Sequence, residues 1–188
     1  MNKMIDVKFG CIETERLILR KFGESDAETF FKYRTDPGVA RYQGDMWANY
    51  KLEQALQFIK EQMNAEPGIP GSWFQIAVES KSAGCLIGDL AIHTLLLETD
   101  QAEIGFTLDP SYRNKGYGTE AVKHLLGYIF NVLNMRRVIA ITDVRNEDSI
   151  RLLERLGMRR EGHYIKSAWN KGEYVDEYQY ALLKEEWA

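Results

Sequence analysis

Cysteine is scarce: the chain carries two, Cys11 and Cys85. That excludes the disulfide framework of a small secreted scaffold, and a reducing, cytoplasmic setting is the expectation. Long hydrophobic runs are missing as well. No stretch approaches the roughly 18 apolar residues that a membrane helix needs, so no membrane partner is expected. Met1 to Cys11 mixes charges with isolated apolar residues and has no signal-peptide core. Basic surplus is also absent. The formal net charge of −4 argues against a nucleic-acid partner, because phosphate contacts require a basic face, and it suits a cationic partner better. There is no repeat, low-complexity tract or long linker. The composition that remains, 45% hydrophobic and 28% charged, is that of a globular protein read as one domain over residues 1–188.

Periodicity divides this domain into strands and helices. Arg16 to Arg20 reads as a first strand. Ser25 and Glu28 have the spacing of a capping box, opening a first helix that Asp36-Pro37-Gly38 stops. Leu52, Ala55, Leu56, Ile59 and Met63 place a second helix over about 50–65. Trp73 to Ser80 and Cys85 to Leu96 read as strands around a turn at Lys81–Gly84. Asp100 falls in the next turn, and Ala102 to Leu108 is a strand ended by Asp109-Pro110. Ala121, Val122, Leu125, Leu126, Ile129 and Phe130 form one face of a helix over 119–133. Arg137 to Val144 is a β-branched strand, and Asn146 to Leu156 is a short helix closed by Gly157. Strands over about 158–166 and 174–183 meet at Asn170-Lys171-Gly172. The pattern predicts a mixed α/β (α+β) sheet in which the strand–helix–strand unit in the middle requires parallel pairing.

One junction carries chemistry. Arg113-Asn114-Lys115-Gly116-Tyr117-Gly118-Thr119 lies between a strand and an amphipathic helix. Glycines without Cβ let the backbone turn N–H groups onto an anion, and the helix start adds its own unpaired N–H groups and dipole. Arg113 and Lys115 supply charge for a pyrophosphate. The spacing is not that of a P-loop, nor of the dinucleotide fingerprint. Standing alone, the segment is equally an ordinary glycine-containing turn.

Arg113-x-x-Gly116-x-Gly118 resembles the R/Q-x-x-G-x-G/A pyrophosphate motif of the GNAT acetyltransferase superfamily. Three further segments occur in the same order as in its ribosomal-protein N-terminal acetyltransferase (RimJ/RimL-like) branch. They are Thr14 to Arg20 followed by Asp26-Ala27, then Ala102-Glu103-Ile104-Gly105-Phe106, then Asn146-x-x-Ser149 leading to Leu156-Gly157-Met158. The resemblance runs from about Ile12 to Leu183. It implies a GNAT fold: a mixed, mostly antiparallel sheet of about seven strands with about four helices, whose fourth and fifth strands run parallel but splay apart. It implies acetyl-CoA as cosubstrate and no metal. Backbone groups of Phe106, Thr107 and Leu108 would bond the pantetheine amides as an added strand does. The N–H groups from Asn114 to Thr119 would hold the pyrophosphate, and Asn146 would lie at the thiol end while also capping its helix.

For transfer to an amine, the resemblance implies an N–H, that of Leu108, facing the developing oxyanion. Leu153 stands where many relatives have a tyrosine acid, which leaves Ser149 as the candidate proton donor. That serine is equally a first-turn residue bonding the backbone. Glu103 is the first candidate for the base, with His93 and Asp143 behind it. Ile141 and Ala168 occupy positions where some relatives carry a carboxylate. Without an evident strong base, an α-amine of pKa about 7.7–8.0 is a more accessible acceptor than a lysine at about 10.4. The acceptor should lie between the first two helices and the last hairpin, where Tyr42, Trp47, Trp169 and Tyr174 offer aromatic rings and Glu173, Asp176 and Glu177 offer charge. The expected partner is therefore an amine, either a peptide N-terminus or a small molecule, and a homodimer accords with the resemblance. A CoA-binding module without catalysis and an unrelated phosphate-binding domain are the alternatives.

Overall fold

The computed structural model describes residues 8–45 and 49–187. Its described strands form one eight-stranded sheet in chain order except at the far edge, β1-β2-β3-β4-β5-β6-β8-β7. The strands are β1 (Ile12–Glu13), β2 (Leu17–Arg20), β3 (Trp73–Ser80), β4 (Cys85–Thr94), β5 (Gln101–Leu108), β6 (Arg137–Asp143), β7 (Arg159–Asn170) and β8 (Glu173–Leu183). The helices are α1 (Ala27–Arg34), α2 (Pro37–Ala40), α3 (Leu52–Asn64), α4 (Tyr117–Asn131) and α5 (Glu147–Arg155). The additions to the expected seven strands and four helices are the two-residue β1 and the four-residue α2. Both are too short to leave a periodic signal.

All strand pairs are antiparallel except β5 with β6. That pair is parallel because α4 carries the chain back across the sheet. Alternation along the strands sorts two cores. Phe74, Ile76 and Val78 of β3 and Ile104 of β5 face Ala121, Leu125, Ile129 and Phe130 of α4. On the opposite face Ala77 and Leu86 meet Phe30 and Tyr33 of α1 and Ile59 of α3.

The expected capping box at Ser25 and Glu28 does not start α1. A 3-10 turn over Glu24–Asp26 precedes the helix, and Asp26 does the anchoring there. Its carboxylate accepts from Gly23 N at 2.7 Å and from two Arg20 nitrogens at 2.7 and 2.9 Å. Asp36-Pro37 ends α1 as expected, but also opens α2. Proline needs no N–H at the first helical position, and Asp36 Oδ1 accepts from Gly38 N at 2.8 Å. At α5 the cap falls on Asn146, whose Oδ1 accepts from Ser149 N at 3.3 Å. The other end closes as a Schellman motif, with Met158 N donating to Leu153 O and Gly157 N to Glu154 O around Gly157 at φ +81°. Among the described residues, no helix is long and apolar enough to cross a membrane.

Candidate active site

Register holds β5 and β6 together only over Gln101↔Arg137 to Glu103↔Ile139. Beyond it β5 stays on β4 as far as Leu108, while β6 follows β8 as far as Asp143. The two central strands therefore diverge, and a cleft of about 910 Å³ occupies the wedge and continues to both sides of the sheet. Asp109 N donates to Ile87 O on β4 at 2.9 Å. Alternation along an antiparallel strand then turns the backbone groups of Phe106 and Leu108 into the wedge and those of Thr107 toward β4. So Thr107 meets the cleft through its hydroxyl, a difference from the expectation that all three residues offer backbone there.

On the α4 side, the loop after β5 supplies the cradle. Among the described residues, no protein acceptor takes the N–H groups of Asn114 to Thr119. Asn114 at φ 60° and Gly116 at φ 81° are left-handed, which turns these amides together at the start of α4. Arg113, Asn114, Gly116, Gly118 and Thr119 line the cleft. The side chains of the two others lie elsewhere: Lys115 Nζ donates to Ser111 O at 2.8 Å, and the Tyr117 ring lies under the Arg16 guanidinium at 4.6 Å. These two contribute backbone alone.

The brace behind the cradle was not foreseen. Glu120 accepts from Thr14 Oγ1 at 2.6 Å, Arg16 N at 2.8 Å and Arg16 Nε at 2.6 Å. Arg16 Nη1 donates to Lys115 O at 2.9 Å. Burial alone would raise the Glu120 carboxyl, but these donors outweigh it and hold it below its usual range. Arg151 and Arg155 of α5 also line the cleft, with Arg155 Nη1 donating to Thr119 Oγ1 at 3.4 Å. Their four-residue spacing on one helix was a readable signal. The Thr14–Glu120 contact joins residues 106 positions apart, and sequence spacing carries no trace of it. The free amides, the helix start and the guanidinium groups of Arg113 and Arg155 form a donor set that fits a pyrophosphate.

Asn146 and Ser149 line the cleft from the start of α5. Leu153, where a tyrosine acid would sit, is fully buried in the core. Glu103 stands at the splay point and faces the cleft. Burial pushes its carboxyl above the ordinary 4.5, the Glu177 carboxylate adds to the rise, and His93 opposes it. His93 lies opposite Glu103 on β4, with Nδ1 3.9 Å from Oε2, and its ring stacks on Trp73 at 4.7 Å.

Asp143 is a poorer base than the sequence suggested. Burial would raise its carboxyl, yet the side-chain and backbone donors of Arg145 prevail and hold it low. Those donors lie 2.7 to 2.9 Å away. Glu173 is likewise taken by Arg145 and Asp176 by His163 and Lys166 N, whereas Glu177 reaches the cleft. Ile141 and Ala168 line it without charge.

The far end of the wedge is crossed by residues 41–45. Gln43 Nε2 donates to Thr107 Oγ1 on β5 at 2.8 Å, and Tyr42 OH donates to Arg145 O, beyond the end of β6, at 3.2 Å. Asn170 Nδ2 donates to Arg41 O at 3.0 Å and Lys171 N to Asp45 Oδ1 at 2.8 Å. Behind this strap lies a buried polar chain. Arg34 Nη1 donates to Gln43 Oε1, Arg34 Nη2 pairs with Asp89, and Tyr33 OH donates to Asp89 Oδ1 at 2.7 Å. Of the predicted aromatic rings, Tyr42 and Trp169 line the cleft and Tyr174 packs edge-on against Trp169 at 5.0 Å. Trp47 lies outside the described residues. Trp73, not anticipated, lines the cleft from β3, where its ring stacks on His93.

A splayed parallel pair with a glycine-bearing anion cradle at the following helix defines a class of acyl-transfer protein, and comparison places the chain in it. Residues 16–159 match the Acetyltransferase (GNAT) domain family. The chain belongs to that family, whose members use acetyl-CoA, and it is an N-acetyltransferase. It is 34% identical over 94% of its length, and 98% of the relative's, to the uncharacterized N-acetyltransferase YnaD of Bacillus subtilis. The crystal structure of a GNAT-family acetyltransferase from Bacillus anthracis superposes with a TM-score of 0.83 at 34% identity, covering 94% of this chain and 99% of that one. A spermidine N-acetyltransferase from Vibrio cholerae, solved with CoA and spermine, shares the fold at a TM-score of 0.79 and 18% identity, with 93% and 99% covered.

Proposed function

We propose that the enzyme acetylates the N-terminal α-amine of a peptide or protein by direct transfer, as in the ribosomal-protein (RimJ/RimL-like) branch. The observation that carries this is the exposure of aromatic rings at the cleft. Trp73 and Trp169 line it while 43% and 53% exposed, and Tyr174, 62% exposed, packs on Trp169, so residues following the reacting amine have apolar surfaces to lie on. Bound in the wedge, acetyl-CoA supplies the acetyl thioester. The chain's own groups do the rest. Amides 114–119, with Arg113 and Arg155, hold the pyrophosphate. Phe106 and Leu108 offer strand-edge backbone to the pantetheine, and the Leu108 N–H faces the carbonyl oxygen. Asn146 fixes the first turn of α5 so that Ser149 Oγ gives its proton at the departing sulfur. Glu103 takes a proton from the acceptor's ammonium so that the neutral amine attacks the thioester, and the second N–H proton, shed as the amide forms, replaces the one Ser149 gives up. Its raised affinity for protons makes Glu103 a better acceptor than an ordinary surface carboxylate.

A second reading, acetylation of a small cationic amine, is favoured by one observation: Glu103 and Glu177 both face the cleft, and no guanidinium or ammonium is bonded to either among the described residues. The V. cholerae spermidine enzyme of the same fold illustrates that acceptor class. Free-thiol release from acetyl-CoA, followed with short peptides, polyamines, aminoglycosides and amino acids, separates the two. Peptide-selective turnover is the expected result, and turnover confined to small amines would replace the first reading with the second.

A further inference from the structure

Glycines lie in and beside the cleft, and most have a reason within the protein. A Cβ on Gly88 would stand 2.3 Å from the Thr107 carbonyl oxygen, and one on Gly118 would stand 2.9 Å from Leu152 Cδ1. Gly116 is left-handed at φ 81°. Gly105 is different. It is not among the residues of positive φ, and a Cβ there would meet only Ala91 Cβ, at an ordinary 3.5 Å. Glycine weakens a strand interior through lost packing and greater unfolded-state freedom, yet neither backbone nor neighbours ask for it here.

Its place explains it. Gly105 lines the cleft in the middle of β5, directly opposite Ala91 on β4. On the same sheet face, two residues to one side, stand Glu103 and its partner His93. Two residues to the other stand Thr107 and Asp89. The Thr107 hydroxyl is already bonded by Gln43, whose own oxygen is bonded by Arg34. Gly105 and Ala91 are therefore an apolar saddle between the carboxylate at one end and a satisfied polar wall at the other. An amine whose proton goes to Glu103 and whose nitrogen meets a thioester at Phe106–Leu108 carries its next carbon over that saddle.

We infer that the space over Gly105 receives the substituent on the carbon next to the reacting nitrogen, and that Gly105 and Ala91 set how large this substituent can be. For a peptide acceptor, that substituent is the first residue's side chain. The inference rests on the acetyl-transfer reading with Glu103 beside the amine, and it holds for either class of amine.

The test is the ratio of kcat/KM within pairs that differ only in this substituent: glycine-first against leucine-first peptides, and unbranched against α-methyl amines. Gly105→Ala should move the ratio toward the unsubstituted member by about tenfold or more, the range a methyl-sized change in an apolar pocket commands. Gly105→Val should move it further, and Ala91→Gly the opposite way. Acetyl-CoA affinity, measured by calorimetric titration, should stay at the wild-type level in all three. An unchanged ratio in folded Gly105→Val overturns the inference, as does loss of acetyl-CoA binding in Gly105→Ala, which would give the space to the cofactor. If Gly105→Val does not fold, Ala91→Gly decides alone. Silence with every peptide but turnover of small amines would end the peptide reading, while the branched and unbranched pair would still decide the role of Gly105.

Discussion

The two ends of the cleft are built from different materials. The end proposed for the cofactor is nearly continuous in sequence, from Phe106 to Thr119 with the start of α5, and it presents backbone: strand-edge groups at Phe106 and Leu108 and free amides from Asn114 to Thr119. The end proposed for the acceptor is a meeting of side chains from β3, β4, β5, β7, β8 and the segment after α2, tied by contacts such as Asn170 to Arg41 across 129 positions. Backbone groups are the same in every sequence, so the first end needs little beyond glycines and a helix start. The second depends on which side chains happen to converge, and this is where members of one family can differ in acceptor.

The sharpest break of this contrast is at Gly116. Gly116→Glu places bulk and negative charge among the free amides, and acetyl-CoA affinity should fall by about a hundredfold or more, equivalent to about 2.7 kcal/mol. Gly116→Ala separates out the strain of the left-handed backbone, about 1–2 kcal/mol, and thermal unfolding reads that part. At the acceptor end the comparable weakness is a charge. Asp89→Ala leaves the buried Arg34 guanidinium without its carboxylate, and urea denaturation should show a loss of about 3–5 kcal/mol.

Glu103→Gln tests chemistry with the fold intact. Its kcat/KM should drop by about a hundredfold. The base form of Glu103 is lost as pH falls through its raised pKa, so the wild-type acid limb should lie above 4.5, and in the variant that limb should vanish. A raised folded-state pKa also means that the charged carboxylate opposes folding at neutral pH. Glu103→Gln should therefore melt no earlier than the wild type, and earlier melting would show a structural bond that the contacts do not contain. The smallest effect belongs to Ser149→Ala, a turnover loss of about tenfold, the worth of one hydrogen bond. Acetyl-CoA affinity should not change. Unaltered turnover would hand the proton delivery to water.

What could be read without coordinates follows the same division. The strand over 102–108, the glycine-bearing junction at Arg113–Thr119, the amphipathic face of α4 and the Asn146 and Gly157 ends of α5 are local features, each written within one turn or one strand. Ser25 and Glu28 had the spacing of a cap, yet Asp26 took the role because Arg20 on the neighbouring strand holds it. Asp143 reads from the sequence as a candidate base behind Glu103, and nothing local shows that Arg145 is wrapped around it. Gln43, Arg34 and Asp89 carry no motif at all.

The order of the longer strands and helices, the glycine-bearing junction before α4 and the family were legible in the sequence, because these depend on periodicity, glycine placement and helix ends that act over a few residues. Which carboxylates face the cleft, which are consumed by arginines, and how Thr14 and Arg16 brace the start of α4 through Glu120 emerge only in three dimensions. Those outcomes depend on burial and on distances between residues far apart in the chain, and neither quantity exists until the sheet has closed around them.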